Sequence, residues 1–382
     1  MRILFTAVPA AGHVNPLLPL ARAALAAGHQ VALLTGGEMI GKVDAEIPIL
    51  KAGPSIETIL AEAGRRLGTT RDIRAPSQES DRVAQALETE VFAGARVDLA
   101  APEALELAGR WQPDLIICEN ADMVGPLVAA ATGVPWARVA YAVAMEDDKE
   151  RRRTEKVASR YAERGLTPTP PIAYVDPCPP SLQRPGWQSP VHRIGIRPEP
   201  HRTTGPTSAV PQFPASPPRP LVVITLGTVF GTTDMLRAMI ASLEPAGVNV
   251  ISTLGRQFTA DAADLERDWV KLVDYVPLDQ LLVGVSVVVS VGGAGTTMGT
   301  LQRGIPMVMF PQGADQPRNT AGATRAGAAI QIQSPDETGA AVEKILLDPS
   351  FTERAQAVAE EMAAMRTTAE VLAELGVNRL GY

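Results

Sequence analysis

Apolar residues in this chain fall in short β-branched or leucine-rich runs, each followed by a loop and then by a stretch with helical spacing. Ile3 to Ala7 reads as a strand, Val8 to Val14 as a loop, and Asn15-Pro16 as a helix start, with an N-cap residue and a proline at the first helical position. Leu17, Leu20, Ala21, Ala24 and Leu25 recur at helical spacing up to Gly28, and Val31 to Leu34 gives the next strand. Helices over Ile56 to Leu67 and Gln78 to Trp111, strand Leu115 to Cys118, helix Met123 to Ala131 and strand Trp136 to Val139 continue the rhythm. A second series of strands follows at Leu221 to Leu226, Val248 to Thr253, Val270 to Val273, Ser286 to Val291 and Met307 to Phe310, with a helix from Thr233. The alternation predicts an α/β protein of two doubly wound, Rossmann-like domains facing each other across a cleft.

Composition frames these domains. The 382 residues, 46% hydrophobic and 20% charged, suffice for two cores and have the balance of a soluble globular protein. A net charge of −7 gives no reason to expect nucleic acid or an anionic membrane as partner. The N-terminus lacks a signal-type apolar region, and no apolar run reaches the roughly 18 residues that a membrane span needs, so a cytoplasmic protein is expected. Two cysteines, Cys118 and Cys178, without CxxC or CxxH spacing, argue against a disulfide framework and a structural zinc site. From Thr167 to Pro220 prolines and glycines are too dense for helix or central strand. The domains are therefore assigned as 1–200, a Pro-rich linker over 201–220, and 221–360. The charge-dense helix Glu146 to Arg164 is assigned to a solvated face.

The stretch from Ser286 to Gln316 carries the first candidate chemistry. Its strand ends at Val291, breaks at Gly292, Gly293 and Gly295, and resumes from Thr296 as a helix that Gly304 and Pro306 stop. Glycines let backbone N–H groups approach a ligand, and a helix N-terminus carries about half a positive charge, so the turn suits a phosphate. A tight turn without a ligand is the plainer alternative. Beyond the next strand, Asp315 and Gln316 lie at the same edge of a parallel sheet, where a carboxylate and an amide suit sugar hydroxyls. The pairing favours a nucleotide sugar over a bare nucleotide.

The first predicted strand leads to a loop with one glycine, Gly12, which is not a dinucleotide fingerprint. His13 beside it is the one histidine of four that lies at the carboxyl end of a strand. Glu119 and Asp122 follow another strand of the same sheet, where a carboxylate would orient an imidazole and raise its basicity. On position alone a solvated or structurally bonded His13 fits equally well. Asp122 has an alternative use as a cap of the following helix, and Glu119 is the preferred partner.

Gly12-His13-Val14-Asn15-Pro16, Glu119, Thr225-Leu226-Gly227-Thr228, Asp274-Tyr275-Val276-Pro277-Leu278, Gly292-Gly293-Ala294-Gly295-Thr296 and Pro311-Gln312-Gly313-Ala314-Asp315-Gln316 span nearly the whole chain. In this order and spacing they resemble the natural-product glycosyltransferases of the GT-B fold. More narrowly, the chain resembles actinobacterial enzymes that move sugars from dTDP- or UDP-activated donors onto polyketides and related aglycones. The resemblance implies a single inverting displacement in which His13 deprotonates a hydroxyl of a small hydrophobic acceptor, with Glu119 orienting it. It also implies donor contacts from Gly12, Gly227, Thr228, Ser290, Val291, Gly292, Gly293, Gly295 and Thr296. Tyr275 and Val276 would border the nucleobase, and Asp315 with Gln316 would hold the sugar. The nucleotide sugar is a co-substrate; no cofactor and no metal are implied, since such enzymes stabilise the leaving diphosphate by helix dipole and hydrogen bonds. Residues 361–382 would return to the first domain, although the helical spacing from Ala355 to Leu375 equally fits an ordinary packed helix or a homodimer contact.

Two departures bear on function. The family more often has aspartate where Glu119 stands, and histidine where Val291, after Ser290, precedes the glycines. Losing a charge-assisted donor to a phosphate costs roughly 1.5 to 3 kcal/mol, about one to two decades of affinity. Weak donor binding is expected, with Ser290 or Thr296 as compensating groups. A non-catalytic nucleotide-sugar-binding protein and a nucleotide-sugar epimerase on the same fold are the competing readings; the epimerase would convert donor without acceptor. The acceptor wall is expected from Ser55 to Val97 and Val143 to Pro171, and an aromatic content of 4% offers no stacking platform.

Overall fold

The computed structural model describes residues 1–72, 81–199, 209–213, 219–227, 231–255, 264–274 and 276–377. Its first half comprises β1 (Arg2–Thr6), α1 (Ala11–Val14), α2 (Leu18–Ala26), β2 (Gln30–Thr35), β3 (Ile49–Lys51), α3 (Ile56–Leu67), α4 (Arg82–Thr89), α5 (Arg96–Trp111), β4 (Leu115–Glu119), α6 (Val124–Thr132), β5 (Trp136–Val139), α7 (Asp147–Ala162), β6 (Tyr174–Asp176) and β7 (Arg193–Gly195). The second half comprises β8 (Leu221–Thr225), α8 (Thr233–Leu243), β9 (Asn249–Thr253), β10 (Val270–Val273), α9 (Leu278–Leu281), β11 (Val285–Ser290), α10 (Ala294–Leu301), β12 (Met307–Met309), α11 (Gln316–Arg325), β13 (Ala329–Gln331), α12 (Thr338–Leu347), α13 (Ser350–Ala363) and α14 (Thr368–Glu374). The strands form a seven-stranded sheet ordered β3-β2-β1-β4-β5-β6-β7 and a six-stranded sheet ordered β10-β9-β8-β11-β12-β13. All of these pairs are parallel.

Helices cover both faces of each sheet, which is why the strands read as unbroken apolar runs rather than alternating ones. Ile3 and Phe5 pack with Leu17 and Leu20 on one face, and Leu4 and Ile116 with Val97 and Leu127 on the other. In the second half Val288 meets Met298 and Leu301, while Val287 and Val289 meet Leu236 and Val342. In each sheet the strand order reverses once, between β1 and β4 and between β8 and β11. At such a reversal the loops diverge and leave a crevice beyond the carboxyl ends of the strands.

The halves are also stitched together. Val371, Leu372 and Leu375 of α14 share an apolar cluster with Leu17, Leu20 and Ile194. Ala142, Val143 and Leu182 join the cluster of the second sheet. Gln302 Nε2 donates to the Pro198 carbonyl at 2.6 Å, and Arg325 Nη2 to the carbonyls of Leu182 and Gln183 at 2.9 and 2.7 Å.

Four local expectations are corrected. Asn15 is not a cap: the helical path opens at Ala11, and Asn15 has helical angles (φ −54, ψ −39) inside a tight turn that carries Pro16 between α1 and α2. His13 thus sits in a helical turn rather than a loop. The segment read as one helix to Trp111 is α4 and α5 joined by a π-helical turn, Glu90–Ala95, with Gln78 outside the described residues. Within that turn Glu90 is buried and pairs across the fold with Arg66 and Lys156. The Pro-rich stretch from Thr167 contributes β6 and β7, each three residues long and fitted between prolines at the end of the sheet. The helical spacing from Ala355 to Leu375 is split between α13 and α14, the latter opened by a Thr367–Glu370 capping box.

Candidate active site

The reversal between β1 and β4 brings α1 beside the end of β4. His13 Nδ1 lies 3.0 Å from Glu119 Oε1, with the imidazole 20% exposed and the carboxylate 0% exposed. Glu119 Oε2 accepts from the Ala121 N–H at 2.6 Å, and Oε1 also from the Val8 N–H at 3.4 Å, so backbone donors on two loops fix the carboxylate. With Nδ1–H donated to this acceptor, Nε2 keeps its lone pair for a proton. The rings of Phe92 and Tyr141 flank the imidazole at centroid distances of 5.6 and 5.8 Å. The Arg153 guanidinium lies over the Phe92 ring at 4.4 Å and pairs with Glu88.

Asp122 takes up the second of the two uses considered for it and serves the following helix. It is fully buried, its Oδ2 accepts from the Gly125 N–H in the first turn of α6 at 3.2 Å, and its Oδ1 lies 3.6 Å from Arg96 Nε. Burial pushes its carboxyl up, against the field of Arg96. Arg96 in turn donates to the carbonyls of Ala52 and Ala7 and is 0% exposed. The sequence reading missed Arg96, although an arginine among Val97, Ala100, Ala101 and Ala104 on an apolar helix is a visible anomaly.

In the second half, Gly293 stands extended at the head of α10 with no side-chain cap. Gly292 has φ +86, and a Cβ there would come within 2.7 Å of Thr320 Oγ1. At Gly293 and Gly295 an added Cβ would meet nothing within 4 Å, so neither is bare because the protein packs against it. Their backbone faces open space at a helix N-terminus, where amides lack intrahelical partners. Asp315 Oδ2 accepts from the Ala294 N–H at 3.0 Å and from Asn319 Nδ2 at 2.8 Å, joining the carboxylate to the glycine turn. Gln316 is 4% exposed and its Oε1 accepts from the N–H groups of Gln312 and Gly313, bracing a turn in which Ala314 takes φ +57.

Ser290 is 0% exposed and its hydroxyl accepts from the Gly292 N–H at 3.1 Å, so it shapes the turn. Val291 is 4% exposed and packs in the core with Leu226 and Val289, next to Gly227. Val276 is also buried, Gly12 is exposed at the head of α1, and Thr296 is partly exposed in the first turn of α10. Thr228 and Tyr275 lie outside the described residues. Among the described residues, no three or more His, Cys, Asp or Glu side chains are grouped to hold a metal, and no helix is long and apolar enough to cross a membrane.

Two matches to the family described as erythromycin biosynthesis protein CIII-like take in most of the chain, the N-terminal domain over residues 22–227 and the C-terminal domain over 237–377. The elloramycin glycosyltransferase ElmGT of Streptomyces olivaceus is 30% identical over 98% of this chain and 97% of its own length. The L-demethylnoviosyl transferase of Streptomyces niveus is 30% identical over the same shares. The solved glycosyltransferase SsfS6 of Streptomyces sp. SF2575, complexed with thymidine diphosphate, superposes with a TM-score of 0.80 at 28% identity, over 98% of this chain and 99% of that one.

Proposed function

Since the chain belongs to the erythromycin biosynthesis protein CIII-like family and is a GT-B glycosyltransferase of natural products that uses a nucleotide sugar, we propose that His13 is the general base of an inverting transfer. The observation that carries this reading is the His13–Glu119 pair at 3.0 Å at the switch point of the first sheet. Nε2 takes the proton of an acceptor hydroxyl as its oxygen bonds to the anomeric carbon. The bond from that carbon to the diphosphate breaks on the opposite face, and the configuration inverts. Negative charge gathers on the leaving diphosphate, which the N-terminal end of α10 and its uncovered Gly293 and Gly295 backbone suit without a metal. Thymidine diphosphate bound to SsfS6 favours a dTDP-sugar over a UDP-sugar. Asp315, held to the head of α10, is placed for a sugar hydroxyl, and Phe92 with Tyr141 offers ring surfaces to a small hydrophobic acceptor.

The test compares wild type with His13→Ala, using dTDP-glucose and an acceptor found by mass-spectrometric screening of phenolic aglycones. Loss of a placed base should lower kcat by about 100- to 10,000-fold while thymidine diphosphate binds as before. Equal rates in the two proteins, or a product that retains the donor's anomeric configuration, would remove this mechanism.

A further inference from the structure

Arg318 belongs to the second half of the molecule but ends in the first. It lies two residues beyond Gln316 on α11, is 7% exposed, and donates through Nε to the Val143 carbonyl at 3.0 Å. Its Nη2 is 3.5 Å from the Tyr141 hydroxyl, and its guanidinium carbon is 6.0 Å from the centre of that ring. Nη1 stands 3.5 Å from Glu146 Oε2 without a hydrogen-bond partner. A guanidinium offers five N–H donors, and burying one against so few acceptors is costly, so an apolar side chain would fill this space with less loss. Burial pulls its pKa down, but Tyr141, Asp315 and Glu146 outweigh that and keep it charged. Packing alone therefore does not account for an arginine here.

Its neighbours on either side supply a role. Asp315, three residues earlier, is bonded to the head of α10, where the proposed reaction puts the leaving diphosphate. Tyr141 meets the His13 ring edge-on at 5.8 Å, and His13 is bonded to Glu119. The path from the glycine turn to the imidazole thus runs through Asp315, which acts on Arg318 through its charge from three residues away on the chain, and then through Arg318 and Tyr141 by contact.

We propose that Arg318 is a positioning residue that couples the donor half of the cleft to the acceptor half, holding Tyr141 and through it the His13 ring in register with the bound donor. It acts through Tyr141 and does not touch the reacting atoms. A planar fork can bond the Val143 carbonyl and lie across Tyr141 at once, whereas the single ammonium of lysine can do only one of these. The functional weight of this coupling rests on His13 being the base; its structural content does not.

The test uses the full chain labelled with 15N-histidine, whose four histidines give few signals. His13→Ala assigns the His13 resonances. Wild type, Arg318→Met, Arg318→Lys, Tyr141→Leu and the Met–Leu double variant are titrated with thymidine diphosphate, and kcat and donor KM are measured in parallel. Thymidine diphosphate should bind each within about threefold of wild type, while kcat falls about tenfold in each of Arg318→Met and Tyr141→Leu and no further in the double variant. Arg318→Lys should recover part of the loss. Nucleotide should shift the His13 signals in wild type and leave them unmoved in Arg318→Met. A wild-type kcat with a wild-type His13 response in Arg318→Met, or losses that multiply in the double variant, would overturn the proposal. Should Arg318→Met fail to fold, Tyr141→Leu carries the same two readouts and decides the matter in the same way. Full turnover by His13→Ala would remove the base and leave the His13 response as the measure of coupling.

Discussion

The two halves of the cleft share one sheet topology and use it differently. In the first half the candidate chemistry is carried by side chains: His13 on Glu119, Asp122 on Arg96, and Arg153 on Glu88 and Phe92. In the second half the open surface is backbone, and side chains such as Ser290, Asp315 and Gln316 use their polar atoms to shape it. The distinction follows from what each half must do in the proposed reaction. A proton needs one directed lone pair, whereas a diphosphate is met by N–H groups that a helix terminus supplies for any sequence with room at its head. Side-chain chemistry depends on partners from remote loops, and backbone chemistry depends on a few consecutive residues.

The sharpest way to break this comparison is Glu119→Gln, which keeps the shape of the first half and puts a donor in the place of an acceptor. The amide oxygen would stay with the Ala121 N–H, the shorter of its bonds at 2.6 Å, and turn the NH2 group toward His13 Nδ1. Imidazole would then carry its proton on Nε2, where the lone pair is needed. A loss of about 100- to 10,000-fold in kcat is expected, as large as for removing the base, with unchanged binding of thymidine diphosphate. If activity survives within a few-fold, orientation by the carboxylate is not what the first half contributes.

The same contrast decides what could be read from the sequence. The strand, glycine turn and helix at Ser286 to Gln316 are legible because each step is local, and Asp315 reaches Ala294 across only 21 residues. The doubly wound pattern is legible because strands covered on both faces leave continuous apolar runs. His13 and Glu119 are 106 residues apart, and only their shared place at strand ends linked them in the sequence. Arg318 and Val143 are 175 residues apart, and nothing near either residue announces the contact. Tyr141 could have been noticed as an aromatic just past the end of a strand; Phe92 could not, because it stands in a π-helical turn inside what reads as one continuous helix. The misplaced helix start has a similar lesson: Asn15-Pro16 is a good cap by composition, but the chain is already helical at Ala11.

Within the second half, two adjacent glycines separate packing from ligand approach. Gly292→Ala would force a left-handed backbone angle on alanine and drive its Cβ to 2.7 Å from Thr320 Oγ1 and 3.2 Å from the Gln316 carbonyl. Left-handed strain and overpacking together should cost about 2 to 5 kcal/mol of stability, read by urea unfolding. Gly293→Ala has ordinary backbone angles and open space around the new methyl, so its stability should not change. Thymidine diphosphate should nevertheless bind it about tenfold more weakly, because the methyl occupies the approach to the helix head. Equal nucleotide affinity in Gly293→Ala and wild type would mean that the diphosphate lies elsewhere.

The smallest expected effect concerns Val291, where the resemblance implies a histidine, the family's more frequent residue, donating to the donor phosphate. If backbone amides suffice in this chain, restoring that histidine gains nothing, because position 291 is 4% exposed and its side chain packs with Leu226 and Val289 beside Gly227. An imidazole confined there would sit among methyl groups with its nitrogens unpaired. Val291→His should therefore lower the unfolding free energy by about 1 to 3 kcal/mol and leave calorimetric binding of thymidine diphosphate unchanged. The opposite result, unaltered stability with affinity raised by about one to two decades, would show that the ring turns out of the core to reach the phosphate. In that case the second half lacks a side-chain donor rather than having no use for one, and its reliance on backbone reflects a missing residue.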